Sequence, residues 1–292
     1  MNLSNISKQS EVQDLVQRAL AEDIGLGDVT CMAVIPDDPP MISAVIISKG
    51  TYVISGGSIA ESVFTQVDPT IKVPFLVNDG KNISKNEVIL KVVGPAHHIL
   101  TAERTALNFL QRMTGIATLT KKYVEKMKAY ETKILDTRKT APTLRILEKY
   151  AVQCGGGENH RMGLYDRVMI KDNHMIVGGH KEELLMGLLS KAIKHARKAF
   201  PELAIEIEID TVIQLEPILR LNPDWVLLDN MSISELTECV MLNNGQCKLE
   251  ASGDITLQTV EEIASTGVDA ISVGALTHSA PAASLSLECK GL

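Results

Sequence analysis

The chain has 292 residues, of which 45% are hydrophobic, 22% charged and only 3% aromatic, and its net charge is −7. This is the profile of a globular protein of one or two domains, and it speaks against a nucleic-acid binder, which needs a basic surface and stacking rings. No run of about 18 apolar residues is present to cross a membrane, and the N-terminal MNLSNISKQSEVQDLVQ lacks the apolar stretch of an export signal.

In chain order, Ser10–Glu22 carries Val12, Leu15, Val16 and Leu20 on one face at helical spacing. Ile35-Pro36-Asp37-Asp38-Pro39-Pro40 then breaks regular structure, because proline lacks a donor and aspartate favours turns. Strand-like runs follow at Ile42–Ser48, Tyr52–Ile54, Ile71–Val77 and Val88–Val93, with a turn at Asn78-Asp79-Gly80 and a helix near Ile59–Gln66. From Ala102 an amphipathic helical stretch runs towards Tyr130, with an interruption expected near Thr114-Gly115.

Beyond this point short apolar runs recur, most of them ending in polar residues or glycine. They are Ile134-Leu135 into Asp136-Thr137-Arg138-Lys139, Tyr150–Cys154 into Gly155-Gly156-Gly157, and Val168–Ile170 into Lys171-Asp172-Asn173. Ala204–Ile209 runs into Asp210, Trp225–Leu228 into Asp229-Asn230, Lys248–Ala251 into Ser252-Gly253, and Ala270–Val273 into Gly274. Helical segments Lys181–Phe200, Val212–Leu221 and Thr256–Ser265 fall between several of them. Such alternation predicts parallel strands in an α/β barrel, whose active site lies at the carboxyl ends of the strands. An open doubly wound sheet is the alternative, but its strands are apolar on both faces, whereas Ile205-Glu206-Ile207-Glu208-Ile209 alternates strictly. In a barrel, Glu206 and Glu208 point inward and the isoleucines face the helices.

Seven basic residues (Arg138, Lys139, Arg145, Lys149, Arg161, Arg167, Lys171) against three acids (Glu148, Glu158, Asp166) make the window from Arg138 to Lys171 +4 in a chain of −7. Arg145, Lys149 and Arg167 read as solvated positions on helix or strand exteriors. Arg138, Lys139 and Lys171 stand at strand ends, and His160-Arg161 follows a glycine run, so these point to a small ligand with several negative charges. Gly155–Gly157 is no nucleotide P-loop, because no Gly-Lys-Ser/Thr follows, and reads as a tight turn or a close backbone approach. Ser252-Gly253 and Gly274-Ala275 can offer backbone amides to a phosphate or form simple turns. Glu208 and Asp229, on adjacent strands, read either as ion-pair partners for the basic cluster or as magnesium ligands. The five cysteines (Cys31, Cys154, Cys239, Cys247, Cys289) contain no C-x-x-C and predict reduced thiols in a cytoplasmic protein.

Several blocks carry a family resemblance. Thr137-Arg138-Lys139-Thr140, Gly155-Gly156-Gly157-Glu158-Asn159-His160-Arg161, Gly163-Leu164-Tyr165-Asp166 and Ile170-Lys171-Asp172-Asn173-His174 resemble, in order, the motifs of quinolinate phosphoribosyltransferases. So do Glu22-Asp23 with Gly27-Asp28-Val29-Thr30, Glu103–Asn108, Leu227–Asn230, Leu249–Gly253 and Val273–Ser279, which together span almost the whole chain. Ala141 and Thr143 stand where the family often has Thr and Gly. The resemblance implies an N-terminal α/β hammerhead-like sandwich domain (residues 1–112, joined by 276–292) and a C-terminal incomplete α/β barrel (113–275) of fewer than eight strands. It further implies a homodimer with shared active sites, and a reaction of quinolinate with phosphoribosyl pyrophosphate and magnesium that gives nicotinate mononucleotide, pyrophosphate and carbon dioxide. By position, it assigns Arg138, His160, Arg161 and Lys171 to the quinolinate carboxylates and Arg104 to the partner's site. Lys139 and Lys171 would meet the pyrophosphate, Thr137 the substrate, Glu208 and Asp229 the ribose and Mg2+, and Ser252, Gly253 and Gly274 the 5′-phosphate. From the residues alone, a Schiff-base aldolase using Lys139 or Lys171 remains the competing enzyme class. A ligand-sensing, inactive homologue would have lost Glu208, Asp229 or Lys139, and all three are present.

Overall fold

The computed structural model describes residues 6–171, 174 and 182–291. Asp172, Asn173 and Lys181, which entered the readings above, lie outside the described residues. The chain forms two compact units, one of Met1–Lys121, Ala141–Gly156 and Ser279–Leu292, the other of Lys122–Thr140 and Gly157–His278.

In the first unit, α1 (Ser10–Ile24) buries Val12, Leu15, Val16 and Leu20, the stripe its spacing predicts, and packs on α3 (Gly57–Val67). Asp28 caps the short α2 (Val29–Val34), its carboxylate accepting the N–H groups of Thr30 and Cys31. A four-stranded antiparallel sheet has the order β12 (Leu285–Gly291), β1 (Met41–Ser48), β5 (Val88–Pro95), β3 (Lys72–Leu76), while β2 (Tyr52–Val53) pairs with β4 (Asn82–Ile83).

Two expectations are corrected here. The helix α4 runs unbroken from Ala96 to Lys126. Gly115 serves a close approach instead of a break, because a Cβ there would stand 2.1 Å from the Pro281 carbonyl oxygen. Tyr150–Cys154 is the last part of α5 (Arg145–Cys154), not a strand. Its apolar residues continue a helical stripe of Ile146, Leu147, Ala151 and Val152, and a short apolar run alone cannot separate the two states. Gly155 ends this helix where a Cβ would meet the Ala117 carbonyl oxygen at 2.4 Å, which is the close approach expected of the glycine run.

The second unit is a six-stranded, all-parallel sheet. Its order is β6 (Lys133–Leu135), β11 (Ala270–Ser272), β10 (Lys248–Ser252), β9 (Trp225–Asp229), β8 (Ile205–Ile209), β7 (Val168–Ile170). Helices α6 (Glu182–Ala199), α7 (Leu215–Leu219), α8 (Ile233–Asn243), α9 (Val260–Ser265) and α10 (Ala275–His278) follow successive strands. Glu158 bridges to Leu135 on the edge of β6 away from β11, with Glu158 N donating to the Ile134 carbonyl at 2.8 Å. The 158–161 segment is thereby held against the strand. In β8, Ile205, Ile207 and Ile209 are buried on one face, while Glu206 and Glu208 take the interior face with Leu227 and Glu250 of the neighbouring strands.

Candidate active site

At the carboxyl ends of these strands, one cavity of about 570 Å³ is lined by Thr137, Arg138, Lys139, His160, Arg161, Lys171, Glu208, Asp229, Ser252 and Gly253. The fold thus gathers ten of the twelve substrate-binding candidates, drawn from five strand ends and the 158–161 segment. Gly274 lies beside this set: a Cβ on it would stand 3.2 Å from Lys139 Cδ and 3.1 Å from His278 Nε2. Arg104 is exposed on α4, which belongs to the other unit. A larger cavity of about 990 Å³ beside β7 and α6 has a mainly aliphatic and aromatic lining and shares Arg161 with the first, but none of the other nine residues.

Local bonds explain how each side chain is presented. The loop after β6 is tied down at Lys139, whose N–H donates to Thr137 Oγ1 at 3.0 Å and whose carbonyl accepts the buried Thr277 hydroxyl at 2.7 Å. Buried Asp136, at the end of the same strand, accepts the backbone N–H of His160 at 3.0 Å and the amide of Asn159 at 2.6 Å. Gly253 has φ +101°, and a Cβ there would overlap Asn230 Oδ1 at 2.0 Å, so the turn after β10 admits only glycine. Asp229 Oδ2 accepts from the Asn230 side chain at 2.9 Å. Lys171 Nζ and the Glu208 carboxylate form an ion pair across the cavity wall, so an incoming anion competes with Glu208 for this lysine.

The cavity crowds like charges. Burial lowers the Arg161 pKa first, and the neighbouring positive charge of Arg138 lowers it further. An anion placed between such guanidinium groups relieves both costs.

The structure corrects the reading of Lys149 and Arg167 as solvated. Lys149 is fully buried in α5. Arg167 has a largely buried side chain, lies 5.1 Å over the Trp225 ring, and donates to Glu206 Oε2 at 3.2 Å. Beneath the cavity, His160 Nε2 sits 3.2 Å from Glu206 Oε2 and 3.3 Å from Glu250 Oε2. Burial opposes protonation of this imidazole, while hydrogen bonds to the two carboxylates favour it. Glu250 and Glu206 were not singled out for function from sequence. One signal was present: Glu250 and Ser252 share the inward parity in β10, as Glu206 and Glu208 do in β8.

With this geometry in place, comparison with known proteins gives a consistent result. Residues 28–114 match the family described as quinolinate phosphoribosyl transferase, N-terminal domain, and residues 116–288 match its C-terminal domain. A quinolinate phosphoribosyltransferase [decarboxylating] of Nicotiana tabacum is 42% identical over 294 residues, covering 95% of this chain and 82% of the relative. A probable nicotinate-nucleotide pyrophosphorylase [carboxylating] of Bacillus subtilis is 38% identical, covering 95% of this chain and 93% of that protein. The solved structure of the nicotinate-nucleotide pyrophosphorylase from Francisella tularensis superposes with a TM-score of 0.87 at 38% identity, covering 96% of each chain.

Proposed function

Because this chain belongs to the quinolinate phosphoribosyltransferase family, we propose that it catalyses decarboxylating phosphoribosyl transfer from phosphoribosyl pyrophosphate to quinolinate, the nicotinate mononucleotide-forming step of NAD biosynthesis. The observation that carries this reading is the convergence of Arg138, Lys139, Arg161 and Lys171 on one cavity that also holds Glu208 and Asp229. Four cations suit a dicarboxylate together with a pyrophosphate. The two carboxylates suit the ribose, whose C1 becomes positive as pyrophosphate leaves.

The pyridine nitrogen forms the new bond to C1 while the C1–oxygen bond to pyrophosphate breaks. The ring nitrogen then carries positive charge. When the bond to the 2-carboxylate breaks, the electron pair stays on the ring carbon, stabilised by that charge, and takes up a proton. The protein supplies no covalent catalyst, and its contribution is positioning and electrostatics. Arg138, Arg161 and Lys171 hold the two carboxylates, and His160, whose two ring nitrogens are engaged by the Arg161 N–H and by Glu206 and Glu250, stands behind Arg161. Lys139 and Lys171 face the pyrophosphate charge, and Thr137 helps orient the substrate. Ser252, Gly253 and Gly274 receive the 5′-phosphate at the ends of β10 and β11. Glu208 and Asp229 are oxygen donors of the kind magnesium takes, and the ion, when bound, neutralises pyrophosphate charge.

The reading includes a homodimer in which Arg104 serves the neighbouring subunit. Supporting it, α2 is tied to the first part of α4 by Thr101 Oγ1 donating to Asp28 Oδ2 at 2.9 Å. It leaves Leu26, Val29, Met32 and Val34 exposed beside the segment that carries Arg104. The cytoplasm suits the five free thiols, and no helix among the described residues is long and apolar enough to cross a membrane.

The test mixes protein, quinolinate, phosphoribosyl pyrophosphate and magnesium, and follows carbon dioxide and nicotinate mononucleotide. Nicotinate in place of quinolinate should turn over far more slowly, because it leaves part of the cation set unpaired. Equal turnover of the two acids rules out the dicarboxylate assignment.

A further inference from the structure

Four side chains at the floor of the cavity, three of them buried and Arg167 largely so, have no role in the reaction as described above. His160, Glu206 and Glu250 are at least nine-tenths buried, and Arg167 reaches Glu206 Oε2 at 3.2 Å and Glu250 Oε2 at 4.0 Å. The His160 ring is committed at both nitrogens. Its Nδ1 accepts the backbone N–H of Arg161 at 2.7 Å, so the ring proton sits on Nε2, between the two carboxylates. One N–H and one guanidinium must therefore serve two acids. Two neighbouring carboxylates buried in this way do not both ionise at neutral pH.

The groups facing Glu250 decide which acid keeps the proton. From β8 it meets Glu206, from the 158–161 segment His160, from the residue before β7 Arg167, and from β11 the neutral Ser272. Burial raises the Glu250 pKa, and the charge of Glu206 raises it further. Burial also opposes the charge on Glu206, but His160 and Arg167 hold its pKa low. Although the two carboxylates favour a charged ring, Nδ1 is engaged as an acceptor by the Arg161 N–H, so the extra proton of this cluster goes to an acid and not to the ring. That leaves Arg167 and Glu206 as the charged pair, and His160 and Glu250 neutral. The positive charge that a metal ion would bring is already supplied by Arg167.

The geometry points to Glu250 as a positioning residue that works as a buried neutral acid, keeping His160 in its Nε2–H form so that Nδ1 holds the Arg161 backbone and aims that arginine at a substrate carboxylate. It rests on the assignment of Arg161 to quinolinate above. Ionisation of Glu250 would set two buried negative charges against each other, loosen the ring and weaken quinolinate binding without touching the reacting atoms.

The experiment compares wild type with Glu250→Ala and Glu250→Gln, measuring quinolinate KM and kcat from about pH 7 to about pH 9.5. It also records the infrared difference between wild type and Glu250→Gln at about pH 7. Wild-type KM should rise about tenfold across this range. In Glu250→Gln, whose amide imitates the neutral acid, KM should stay nearly flat, and in Glu250→Ala it should be about tenfold high throughout, with kcat little changed in both. The infrared difference should contain the carbonyl band of a protonated carboxyl. Superimposable KM profiles of wild type and Glu250→Gln overturn the proposal, as does a Glu250→Gln KM as high as that of Glu250→Ala. If wild type forms no nicotinate mononucleotide, the functional reading fails instead. The infrared band still decides whether Glu250 is neutral, and its absence overturns the proposal independently.

Discussion

Removing Arg161 separates a substrate-binding cation from a structural one. Among the described residues, its side chain is tied to the fold by one long hydrogen bond, Nη1 to the Arg167 carbonyl at 3.5 Å. Its charge is unfavourable in the empty cavity, because burial and Arg138 both lower its pKa. Arg161→Ala should therefore leave the melting temperature unchanged or slightly raised. A charge-assisted contact contributes about 1.5–3 kcal/mol, which corresponds to a loss of about 10- to 150-fold in quinolinate affinity. The assay is nicotinate mononucleotide formation at saturating phosphoribosyl pyrophosphate with quinolinate varied, alongside calorimetric titration of quinolinate and a thermal melt. A quinolinate KM within about twofold of wild type, or a marked fall in melting temperature with affinity retained, would refute the reasoning. The first outcome would mean that the arginine does not meet the ligand, and the second that its charge supports the fold.

Three further predictions follow from particular residues. Arg104→Ala and Lys139→Ala should each inactivate the enzyme, and mixing the two should restore part of the activity through hybrid dimers. No recovery after demonstrated subunit exchange would count against a shared site. Glu208→Gln and Asp229→Asn should lower kcat by about tenfold or more while quinolinate affinity changes little, as expected when charge facing the ribosyl transition state is lost. Calorimetry showing quinolinate binding abolished in correctly folded amide variants would place these carboxylates at the pyridine ring instead. Thr143, a β-branched residue, is held at φ +67°, a backbone region that favours glycine. The left-handed backbone costs it about 1–2 kcal/mol, and the extra unfolded freedom of glycine offsets about 0.5–1, so Thr143→Gly should stabilise the protein by about 0.5–1 kcal/mol in denaturant titration.

Much of the fold and most of the site can be read from sequence, because the properties involved are local. Helical spacing placed α1, and period-two alternation placed β8 with its two glutamates inward. The polar residues that end each apolar run marked the cavity, since parallel strands bring their carboxyl ends to one side wherever they lie in the chain. Other features depended on neighbours distant in sequence. Gly115 looked like a helix break until the carbonyl of Pro281 accounted for its missing side chain. Tyr150–Cys154 has the composition of a buried strand, and its helical state became clear only with the stripe that begins at Ile146. Lys149 and Arg167 carry charges that composition assigns to solvent, yet Lys149 is buried and the Arg167 side chain largely so. Glu206 and Glu250 lie 44 positions apart in the chain, and only the order of β8, β9 and β10 brings both to one histidine. Sequence determined which residue types were present and which face of an element each occupied. The environment that sets their charge, whether water, a carbonyl or a second carboxylate, was decided by packing, because a proton's free energy depends on everything within a few ångströms, most of it contributed by other parts of the chain.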